Sequence, residues 1–500
     1  MSRLEDLLRR AAETAPNRPA VVEPGAGELS YAQLLSGARR YTADLEAAGV
    51  QPGDRVGLAA PKSLAAIEAI YGILLAGATY VPVDPRSPLE RNATIFNDCG
   101  VRAVLASRDL ADAIAASLPG SFVPSLAHGS LDLLTTEEFR APGDEQTAYI
   151  LYTSGSTGLP KGVPLSHAAA LSFVGWCSHT FDVGPSDRFS SHAPLHFDLS
   201  ILDLYLCAAS AGTLVLVDLE LGRQPRRLAP LIAEQRITVW YSTPSILSIL
   251  VQAGQLERHD ASSLRYVLFA GEVFPLSQLR ALTEAWPHPR YFNLYGPTET
   301  NVCTFHEAQI PIDPERTGSL PIGKPCSHVE TRVFDREGRQ VPAGQEGELC
   351  VRGAPVMNGY WNPLHDAEVY WPGGPGEARW YRTGDRVRES PDGYLFAGRW
   401  DRMVKRRGFR VELGEVEARL SRHPGLSEVA ALAHEIPGGG LEVVAHLCWR
   451  EGQRPSLLEF RRFCSEQLPS SMIPDRFVHA AQLPRTSTDK IDYRALAEAP

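Results

Sequence analysis

YTSGSTGLPKG, at residues 152–162, is a run of small, hydroxyl-bearing and glycine residues that ends in a lysine and a glycine. Glycine lets a backbone pass close to an anion, and hydroxyl groups and backbone amides donate hydrogen bonds to that anion. Lys161 adds a positive charge for a polyphosphate. A Walker A loop requires Gly-Lys-Ser/Thr at the start of a helix, whereas Lys161 is followed by Gly162 and Val163. The run therefore predicts a nucleotide-binding protein that is not a P-loop NTPase.

The composition is typical of a large globular protein with more than one domain. A length of 500 residues exceeds one ordinary hydrophobic core, and the shares of 44% hydrophobic and 22% charged residues match a globular chain. The net charge of −10 argues against a surface that binds nucleic acid. No apolar run is long enough to cross a bilayer, and residues 1–20 have the pattern of an amphipathic helix rather than a signal peptide. We therefore expect neither a nucleic-acid partner nor a membrane partner.

The cysteines and two histidines give no sign of a metal site. The 8 cysteines are scattered without CxxC spacing, which argues against both zinc and a disulfide framework. This pattern favours reduced thiols and a cytoplasmic location. His192 and His196 lack a set of metal-ligand partners, so we interpret both as structural.

Short apolar runs alternate with helical stretches over most of the chain. Residues 55–60 read as a strand and are followed by a helical period at 63–70. Residues 213–218 and 265–270 read as further buried strands. This alternation predicts an α/β fold of layered sheets and helices.

The pattern changes after about residue 398. A basic run at residues 405–410 leads into a helix that is rich in glutamate at its start, and the last hundred residues resemble a small α+β domain. We predict two domains, residues 1–400 and residues 401–500, with the boundary near Asp401.

Further motifs follow the loop in a characteristic order. NLYGPTE at residues 293–299 combines an aromatic plane, a tight turn, a hydroxyl and a carboxylate. YRTGD at 381–385 ends in a carboxylate after a glycine, and TDKID follows at 488–492. Together with residues 152–162, these motifs resemble the adenylate-forming superfamily, and most closely the adenylation domains of nonribosomal peptide synthesis. The resemblance runs almost end to end and includes residues 29–34, 75–84, 197–200, 347–349, 398–417 and 468–474.

The resemblance implies a fold and a moving part. Relatives of this kind have a large N-terminal domain of packed β-sheets with helices and a small mobile C-terminal domain. In this chain the hinge between the two domains is expected at Asp401.

The resemblance also implies which residues bind ATP and Mg²⁺. Tyr295 is expected to stack on adenine, Asn293 to bond its exocyclic amine, and Asp385 to accept the ribose hydroxyls beside Arg399. Glu299 is expected to hold Mg²⁺, a hard cation that takes oxygen ligands. The other expected contacts are Gly271, Glu272 and Gly296 around adenine, Thr298 at the α-phosphate, and Thr153, Ser154, Gly155, Ser156, Thr157, Gly158 and Lys161 around the β- and γ-phosphates.

Lys490 is the residue that the resemblance implies for catalysis. Attack of a carboxylate on the α-phosphate brings two anions together and builds negative charge in the transition state. An ammonium group placed between them supplies several kcal/mol of stabilisation. No general base is expected, because the substrate carboxylate is already ionised at neutral pH. The family usually has glycine where this chain has Asp489.

Asp198 indicates an amino acid substrate. In amino-acid-activating relatives an aspartate at this position pairs with the substrate ammonium, which is a charge-assisted bond. The alternative interpretation is a helix N-cap, since Asp198 precedes Leu199 and Ser200. Motif spacing matches the remaining pocket wall to Leu199, Leu202, Tyr241, Leu268, Ala270, Leu294, Val302 and Cys303, with Lys490 at the substrate carboxylate.

This wall is apolar with a single phenol, which argues against charged and strongly polar side chains in the substrate. The pattern is similar to that of the stand-alone L-proline-adenylating enzymes, which begin the synthesis of pyrrole-containing natural products. Shape alone separates small aliphatic amino acids by about 1–3 kcal/mol per methylene, so leucine, valine and pipecolate stay open.

The thiol acceptor is expected on a separate molecule. No carrier-type attachment motif follows Lys490 in this chain, so we expect a discrete peptidyl-carrier protein that bears phosphopantetheine. Coenzyme A stays open as the acceptor. The rival interpretations are an acyl- or aryl-CoA ligase of the same superfamily and a nucleotide-binding module without catalysis.

Overall fold

A computed structural model describes residues 2–118, 123–125, 130–136, 144–155, 159–366, 369–373, 378–436, 440–485 and 491–498. The described residues fall into two compact units. The larger unit comprises Met1–Pro85, Leu89–Tyr152 and Gly162–Gly398, and the smaller unit comprises Arg86–Pro88, Thr153–Lys161 and Arg399–Pro500. The domain limits expected from the sequence, residues 1–400 and 401–500, stay a prediction.

The strands of the two units range from 2 to 11 residues in length. In chain order they are β1 (Pro19–Glu23), β2 (Gly27–Ser30), β3 (Arg55–Ala59), β4 (Thr79–Pro82), β5 (Ala103–Ser107), β6 (Val123–Ser125), β7 (Leu131–Thr135), β8 (Thr147–Thr153), β9 (Lys161–Ser166), β10 (Arg188–Ser191), β11 (Thr213–Leu216), β12 (Val239–Ser242), β13 (Tyr266–Ala270), β14 (Arg290–Tyr295), β15 (Thr304–Ala308), β16 (Lys324–Pro325), β17 (Val329–Phe334), β18 (Glu346–Gly353), β19 (Tyr370–Trp371), β20 (Trp380–Ser390), β21 (Gly393–Arg399), β22 (Met403–Arg406), β23 (Phe409–Glu412), β24 (Leu426–Glu435), β25 (Leu441–Trp449) and β26 (Arg476–His479).

The helices alternate with these strands. They are α1 (Glu5–Thr14), α2 (Tyr31–Ala47), α3 (Leu64–Leu75), α4 (Leu89–Asp98), α5 (Arg108–Ser117), α6 (His167–Thr180), α7 (Ser200–Ser210), α8 (Pro225–Glu234), α9 (Pro244–Ala253), α10 (Leu276–Ala285), α11 (Leu413–Leu420), α12 (Leu457–Gln467) and α13 (Tyr493–Glu498). Short 3-10 turns occur at Leu221–Arg223, Leu256–Arg258, Thr298–Thr300 and Pro363–His365.

Two sheets organise the larger unit. One has nine strands in the order β16-β15-β14-β13-β12-β10-β11-β1-β2, and the other has seven in the order β6-β7-β5-β3-β4-β8-β9. Apolar residues of α1, α2, α3, α6 and α7 pack in one core cluster with both sheets. Helices α8 to α10 cover the other face of the nine-stranded sheet, and α4 and α5 cover the other face of the seven-stranded sheet. These layers confirm the expected α/β fold class.

A third, antiparallel sheet completes the larger unit. Its order is β17-β18-β20-β19, and β21 pairs with β20. Strand β20 includes Asp385, whose side chain is fully buried. The third sheet thereby contributes a carboxylate to the candidate site.

The smaller unit has its own core. Strands β24, β25 and β26 form one sheet, and β22 pairs with β23 as a hairpin. Apolar residues of α11 and α12 pack on the three-stranded sheet. The hairpin turns at Arg407 and Gly408, both of which have positive φ. Gly408 permits this tight turn at low conformational cost, and the basic run at 405–410 therefore forms a hairpin.

The described residues contain no helix with both the length and the apolar content needed to span a bilayer. All eight cysteines lie within the described ranges and are buried, and no disulfide joins them there. In the same ranges no three His, Cys, Asp or Glu side chains are grouped so that they could hold a metal ion.

Candidate active site

The candidate site lies at the carboxyl ends of parallel strands. Strands β10, β12, β13 and β14 are neighbours and run parallel, so their carboxyl ends share one edge of the sheet. From β10 the chain first forms β11 on one side and later returns to form β12 on the other side. Such a reversal of strand order opens a crevice at the carboxyl ends, where α/β proteins bind ligands.

Strand alternation separates the pocket wall from the opposite face of the sheet. Trp240 and Phe269 point to the cluster beneath α8 to α10, whereas Tyr241, Leu268 and Ala270 belong to the central cluster. All the predicted apolar wall residues are buried and belong to this one central cluster: Leu199, Leu202, Tyr241, Leu268, Ala270, Leu294, Val302 and Cys303.

Asp198 lies beside this cluster, and its side chain bonds to another predicted site residue. The Thr298 hydroxyl donates to Asp198 Oδ2 at 2.6 Å. Helix α7 begins at Ser200 with Leu199 as its N-cap and has no side-chain cap, so Asp198 does not act as the N-cap. Burial and then the Asp198 carboxylate hold the pKa of the Tyr241 phenol well above its ordinary value. Tyr241 therefore stays protonated near the carboxylate.

Tyr295 and Asp385 form the centre of the expected nucleoside site. The Tyr295 hydroxyl donates to Asp385 Oδ2, although the two residues lie on different sheets. Burial, followed by the Asp385 charge, raises the pKa of Tyr295 well above its ordinary range. This bond orients the aromatic ring that is expected to stack on adenine and the carboxylate that is expected to accept the ribose hydroxyls.

The remaining expected adenine contacts are held by neighbouring loops. The side-chain amide of Asn293 donates to Pro321 O at 2.8 Å, which leaves the amide oxygen as the acceptor for an exocyclic amine. The Ser245 backbone N and hydroxyl donate to Glu272 Oε2 at 3.1 and 2.5 Å, so the start of α9 fixes the loop after β13. Gly271 has a φ of +93°, which a side chain would strain.

Gly296 is required by the close approach of two backbone segments. A Cβ atom at Gly296 would lie 1.7 Å from Asn301 O. Glycine therefore allows the turn that carries Thr298 and Glu299 to fold back tightly after β14.

Glu299 is a fully buried carboxylate. The Tyr360 hydroxyl donates to Glu299 Oε1 at 2.7 Å, and the Met357 backbone N donates to Glu299 O at 2.8 Å. Carboxylate oxygen is the ligand type that Mg²⁺ prefers, so Glu299 stays the expected Mg²⁺ contact.

The smaller unit contains the remaining phosphate-loop residues that the structure describes. Ser154 Oγ donates to Arg410 O at 2.8 Å. Thr153 Oγ1 is buried and has no hydrogen-bond partner within the described ranges, which fits a donor reserved for a ligand. A Cβ atom at Gly155 would lie 2.1 Å from Leu159 O, so the loop needs glycine there.

The structure does not describe every expected phosphate contact. Lys161 is described and begins β9, whereas Ser156, Thr157, Gly158 and the expected catalytic Lys490 lie outside the described residues.

Arg399 and the expected hinge residue Asp401 form a bidentate ion pair, since two guanidinium nitrogens each lie 2.7 Å from a carboxylate oxygen. Burial by itself would raise the pKa of Asp401, but the Arg399 hydrogen bonds and charge outweigh it and hold that pKa below its ordinary value. Arg399 is therefore already bound within its own unit.

The structure adds residues that the motifs do not indicate. Tyr360 bonds to Glu299 across 61 positions of sequence, and no local pattern marks this contact. Lys62 places its ammonium group at the carboxyl ends of β10 and β11. An isolated lysine among the apolar residues 56–75 is the one sequence signal that could have identified it.

His192 is a buried structural residue, as expected. Its ring lies 5.5 Å from that of Trp240, and Nε2 lies 3.3 Å from Gly222 O. Burial and then the charge of Lys62 lower the pKa of His192 to about 4. A neutral imidazole in this position does not act as an acid near pH 7.

Sequence comparisons with known proteins find relatives that align with nearly the whole chain. A model of the family described as AMP-binding enzyme matches residues 8–361, and a model described as AMP-binding enzyme C-terminal domain matches residues 415–490. An L-proline--[L-prolyl-carrier protein] ligase from Pseudomonas fluorescens is 40% identical, and the alignment covers 99% of this chain and 99% of that protein. A protein of the same name from Streptomyces coelicolor is 40% identical over 96% of this chain and 93% of its own.

Solved structures have the same architecture. The crystal structure of IdnL1 matches with a TM-score of 0.82 and 30% sequence identity, and the match covers 97% of this chain and 99% of that one. The likeness therefore extends across both compact units.

Proposed function

The chain belongs to the AMP-binding enzyme family, and on this premise we propose that it is an ATP-dependent acid–thiol ligase that activates L-proline. It transfers the activated amino acid to the phosphopantetheine thiol of a discrete peptidyl-carrier protein in the synthesis of a pyrrole-type natural product. One observation carries this proposal: the Asp198 carboxylate lies beside a pocket wall that is otherwise apolar and buried.

The first half-reaction forms an acyl-phosphate anhydride. A carboxylate oxygen of the amino acid attacks the α-phosphorus of ATP, the bond from that phosphorus to the pyrophosphate oxygen breaks, and aminoacyl-AMP and pyrophosphate result. Tyr295 and Asp385 orient the nucleoside, Thr298 lies at the α-phosphate, and the Lys490 ammonium offsets the charge that develops between the two anions. Asp198 holds the substrate ammonium, so the reacting carboxylate has one orientation.

Glu299 holds Mg²⁺ in this proposal, and the cation would offset phosphate charge when bound. The hydroxyl of Tyr360, which donates to Glu299 Oε1, orients that carboxylate. The loop from Thr153 to Lys161 contacts the outgoing phosphates.

The size and polarity of the wall favour proline among amino acids. Leu199, Leu202, Leu268 and Leu294 are buried in one cluster, and a wall built of bulky leucines suits a small aliphatic ring. An ionised side chain in such a wall lacks a partner and is costly to bury. The names of two relatives at 40% identity, both L-proline--[L-prolyl-carrier protein] ligases, support the same substrate.

The second half-reaction moves the amino acid to sulfur. The pantetheine thiol attacks the carbonyl carbon of aminoacyl-AMP, the bond from that carbon to the AMP oxygen breaks, and the thiol proton passes to solvent. We propose that the smaller domain turns about Asp401 between the two half-reactions, so one site serves both. A protein that works on a carrier in this way is expected in the cytoplasm.

A thioester assay tests the proposed acceptor. The protein is incubated with ATP, Mg²⁺ and proline, with either a phosphopantetheinylated carrier protein or coenzyme A, and intact masses are measured. We expect prolyl thioester on the carrier and little on coenzyme A. Efficient loading of coenzyme A alone would instead assign the chain to the rival acyl-CoA ligases.

A further inference from the structure

One half-buried lysine outside the expected ligand contacts, Lys62, donates to the backbone at the carboxyl ends of β10 and β11. Residues 191–217, the crossover segment, run from the end of β10 through α7 to the residue after β11, and they carry Asp198. We propose that Lys62 is a positioning residue which, together with Asp203, anchors the crossover segment and so holds Asp198 in place for the substrate ammonium. This inference rests on the proposed function and deepens it.

The ammonium group of Lys62 joins the two ends of the crossover segment. Lys62 Nζ donates to Ser191 O, at the end of β10, and lies 3.4 Å from Val217 O, directly after β11. The Val217 backbone N also donates to Ser191 O at 3.1 Å. A single side chain from the segment before α3 therefore ties together both points where the crossover segment leaves and rejoins the sheet.

Asp203 is a buried carboxyl within the crossover segment. It lies on α7 next to the wall residue Leu202 and is only 1% exposed. Within the described ranges its Oδ2 atom has no hydrogen-bond partner. Lys62 is the neighbouring charge that acts on it: burial raises the pKa of Asp203, and the Lys62 charge opposes that rise. A buried carboxyl of this kind is costly unless a cation compensates it.

Among the described titratable groups near Lys62, only Asp203 is a buried carboxyl that its charge can compensate. Burial lowers the pKa of Lys62 to about 7, and Asp203 and then Asp218 oppose the shift. Asp218 is exposed, and its Oδ1 atom accepts from the Glu220 and Leu221 backbone nitrogens. His192 is neutral near pH 7 because burial lowers its pKa to about 4. Asp203 is therefore the buried group that Lys62 compensates.

The consequence is specific to the amino acid site. The crossover segment carries Asp198 and part of the apolar wall, whereas the expected nucleoside contacts Asn293, Tyr295 and Asp385 lie on β14 and β20. Releasing the crossover segment displaces the ammonium-binding carboxylate relative to the nucleotide. Small misplacements of a bound group cost as much as about a hundredfold in rate. Because the nucleoside contacts lie outside the crossover segment, we expect the effect mainly in the KM for the amino acid.

The test compares four variants in proline-dependent pyrophosphate exchange, with melting temperature as a check of folding. Lys62→Met removes the donor, Lys62→Arg keeps a cation, and Asp203→Asn removes the carboxylate. Glu68→Gln is the matched control, because Glu68 is a buried carboxyl on α3 that lies 3.7 Å from Arg40 instead. The measured quantities are the KM for proline, the KM for ATP and kcat.

We expect Lys62→Met and Asp203→Asn to raise the KM for proline about tenfold or more, with the KM for ATP within about twofold of wild type. Lys62→Arg should recover much of the loss, and Glu68→Gln should leave both constants near wild type. If Lys62→Met does not fold, Lys62→Arg and Asp203→Asn still give the comparison. An unchanged KM for proline, or equal rises in the KM for proline and the KM for ATP, would overturn the positioning role of Lys62 and Asp203. A wild-type protein that shows no amino-acid-dependent exchange would overturn the proposed function instead.

Discussion

At the residue scale, Asp198 and Thr298 link two sites that the sequence treats separately. Asp198 is expected at the substrate ammonium and Thr298 at the α-phosphate, yet the Thr298 hydroxyl donates directly to Asp198 Oδ2 at 2.6 Å. The reacting carboxylate of an amino acid must lie between its own ammonium and the α-phosphate. The contact therefore brings the group expected at the substrate ammonium next to the group expected at the α-phosphate.

Asp198→Asn should raise the KM for proline about ten- to a hundredfold, because it replaces a charged hydrogen bond of about 1.5–3 kcal/mol with a weaker neutral one. The KM for ATP should change little. Steady-state pyrophosphate exchange measures both constants. Thr298→Val is the companion variant, since it keeps the Asp198 charge and removes the 2.6 Å bond together with the contact expected at the α-phosphate. An unchanged KM for proline in Asp198→Asn would contradict the ammonium-binding role.

Tyr295→Phe should weaken nucleotide binding while it leaves the aromatic plane in place. It removes the hydrogen bond to the Asp385 carboxylate, and a hydrogen bond to a charged group is worth about 1.5–3 kcal/mol, so the KM for ATP should rise about ten- to a hundredfold. The KM for proline should stay near wild type. A rise confined to the KM for proline would mean that Tyr295 and Asp385 do not form the nucleoside site.

At the element scale, parallel strands and their alternation place the site. Residues 213–218 and 265–270 are predicted as strands, and the structure forms β11 and β13 there. The sequence does not reveal which strands are neighbours, because pairing joins segments that are distant in the chain. The position of the crevice at the switch between β10 and β12 thus comes from the structure alone. The helix predicted after the basic run begins at Leu413, so Glu412 precedes it.

Side-chain contacts across elements were likewise beyond prediction. The motif assigned Glu299 correctly to a turn after β14, but the bond from Tyr360 depends on how two loops meet. Lys62 is similar, since its role follows from the crossover that its ammonium group closes. The motif residues themselves were predictable, because tight turns and close backbone approaches demand particular residues, as at Gly296.

The packing of α1 against α6 makes stability depend on pH. The Leu4 backbone N donates to His167 Nδ1 at 3.1 Å, and burial lowers the pKa of His167 to about 4. Between about pH 4 and 6.5 the unfolded chain binds more protons at this residue than the folded chain. The free energy of unfolding contributed by His167 is thus fully present above pH 6.5 and falls as the pH falls towards 4.

His167→Asn should reduce this acid sensitivity, because the asparagine amide oxygen lies close to the position of Nδ1 and accepts the Leu4 hydrogen bond without titrating. Urea unfolding of both proteins at several pH values between 4 and 7 gives the comparison. The variant should lose less stability than wild type over that range. Parallel curves for the two proteins would show that His167 does not titrate on unfolding.

At the scale of the whole molecule, the expected site residues are divided between the two units. The larger unit contains the apolar wall, Asp198 and the expected nucleoside and Mg²⁺ contacts. The smaller unit contains described phosphate-loop residues and the Arg399–Asp401 ion pair. We predict that Lys490 serves only the first half-reaction, because its ammonium group offsets the charge that develops when the carboxylate attacks the α-phosphate.

Lys490→Ala should nearly abolish proline-dependent adenylation, because it removes the cation expected between carboxylate and α-phosphate. Transfer from preformed prolyl-AMP to the carrier thiol should be largely retained. Lys161→Ala is the control, since Lys161 is expected to contact only outgoing phosphate and should cause a smaller loss. Equal loss of both half-reactions in Lys490→Ala would make this residue structural.

The preference for L-proline can be tested with a panel of amino acids in ATP–pyrophosphate exchange. The panel should include proline, pipecolate, valine and leucine, together with one acidic and one basic amino acid. We expect the highest kcat/KM for L-proline, lower values for the other aliphatic amino acids and no exchange above background with the charged ones. A panel in which another amino acid clearly exceeds proline, or in which no amino acid supports exchange, would contradict it.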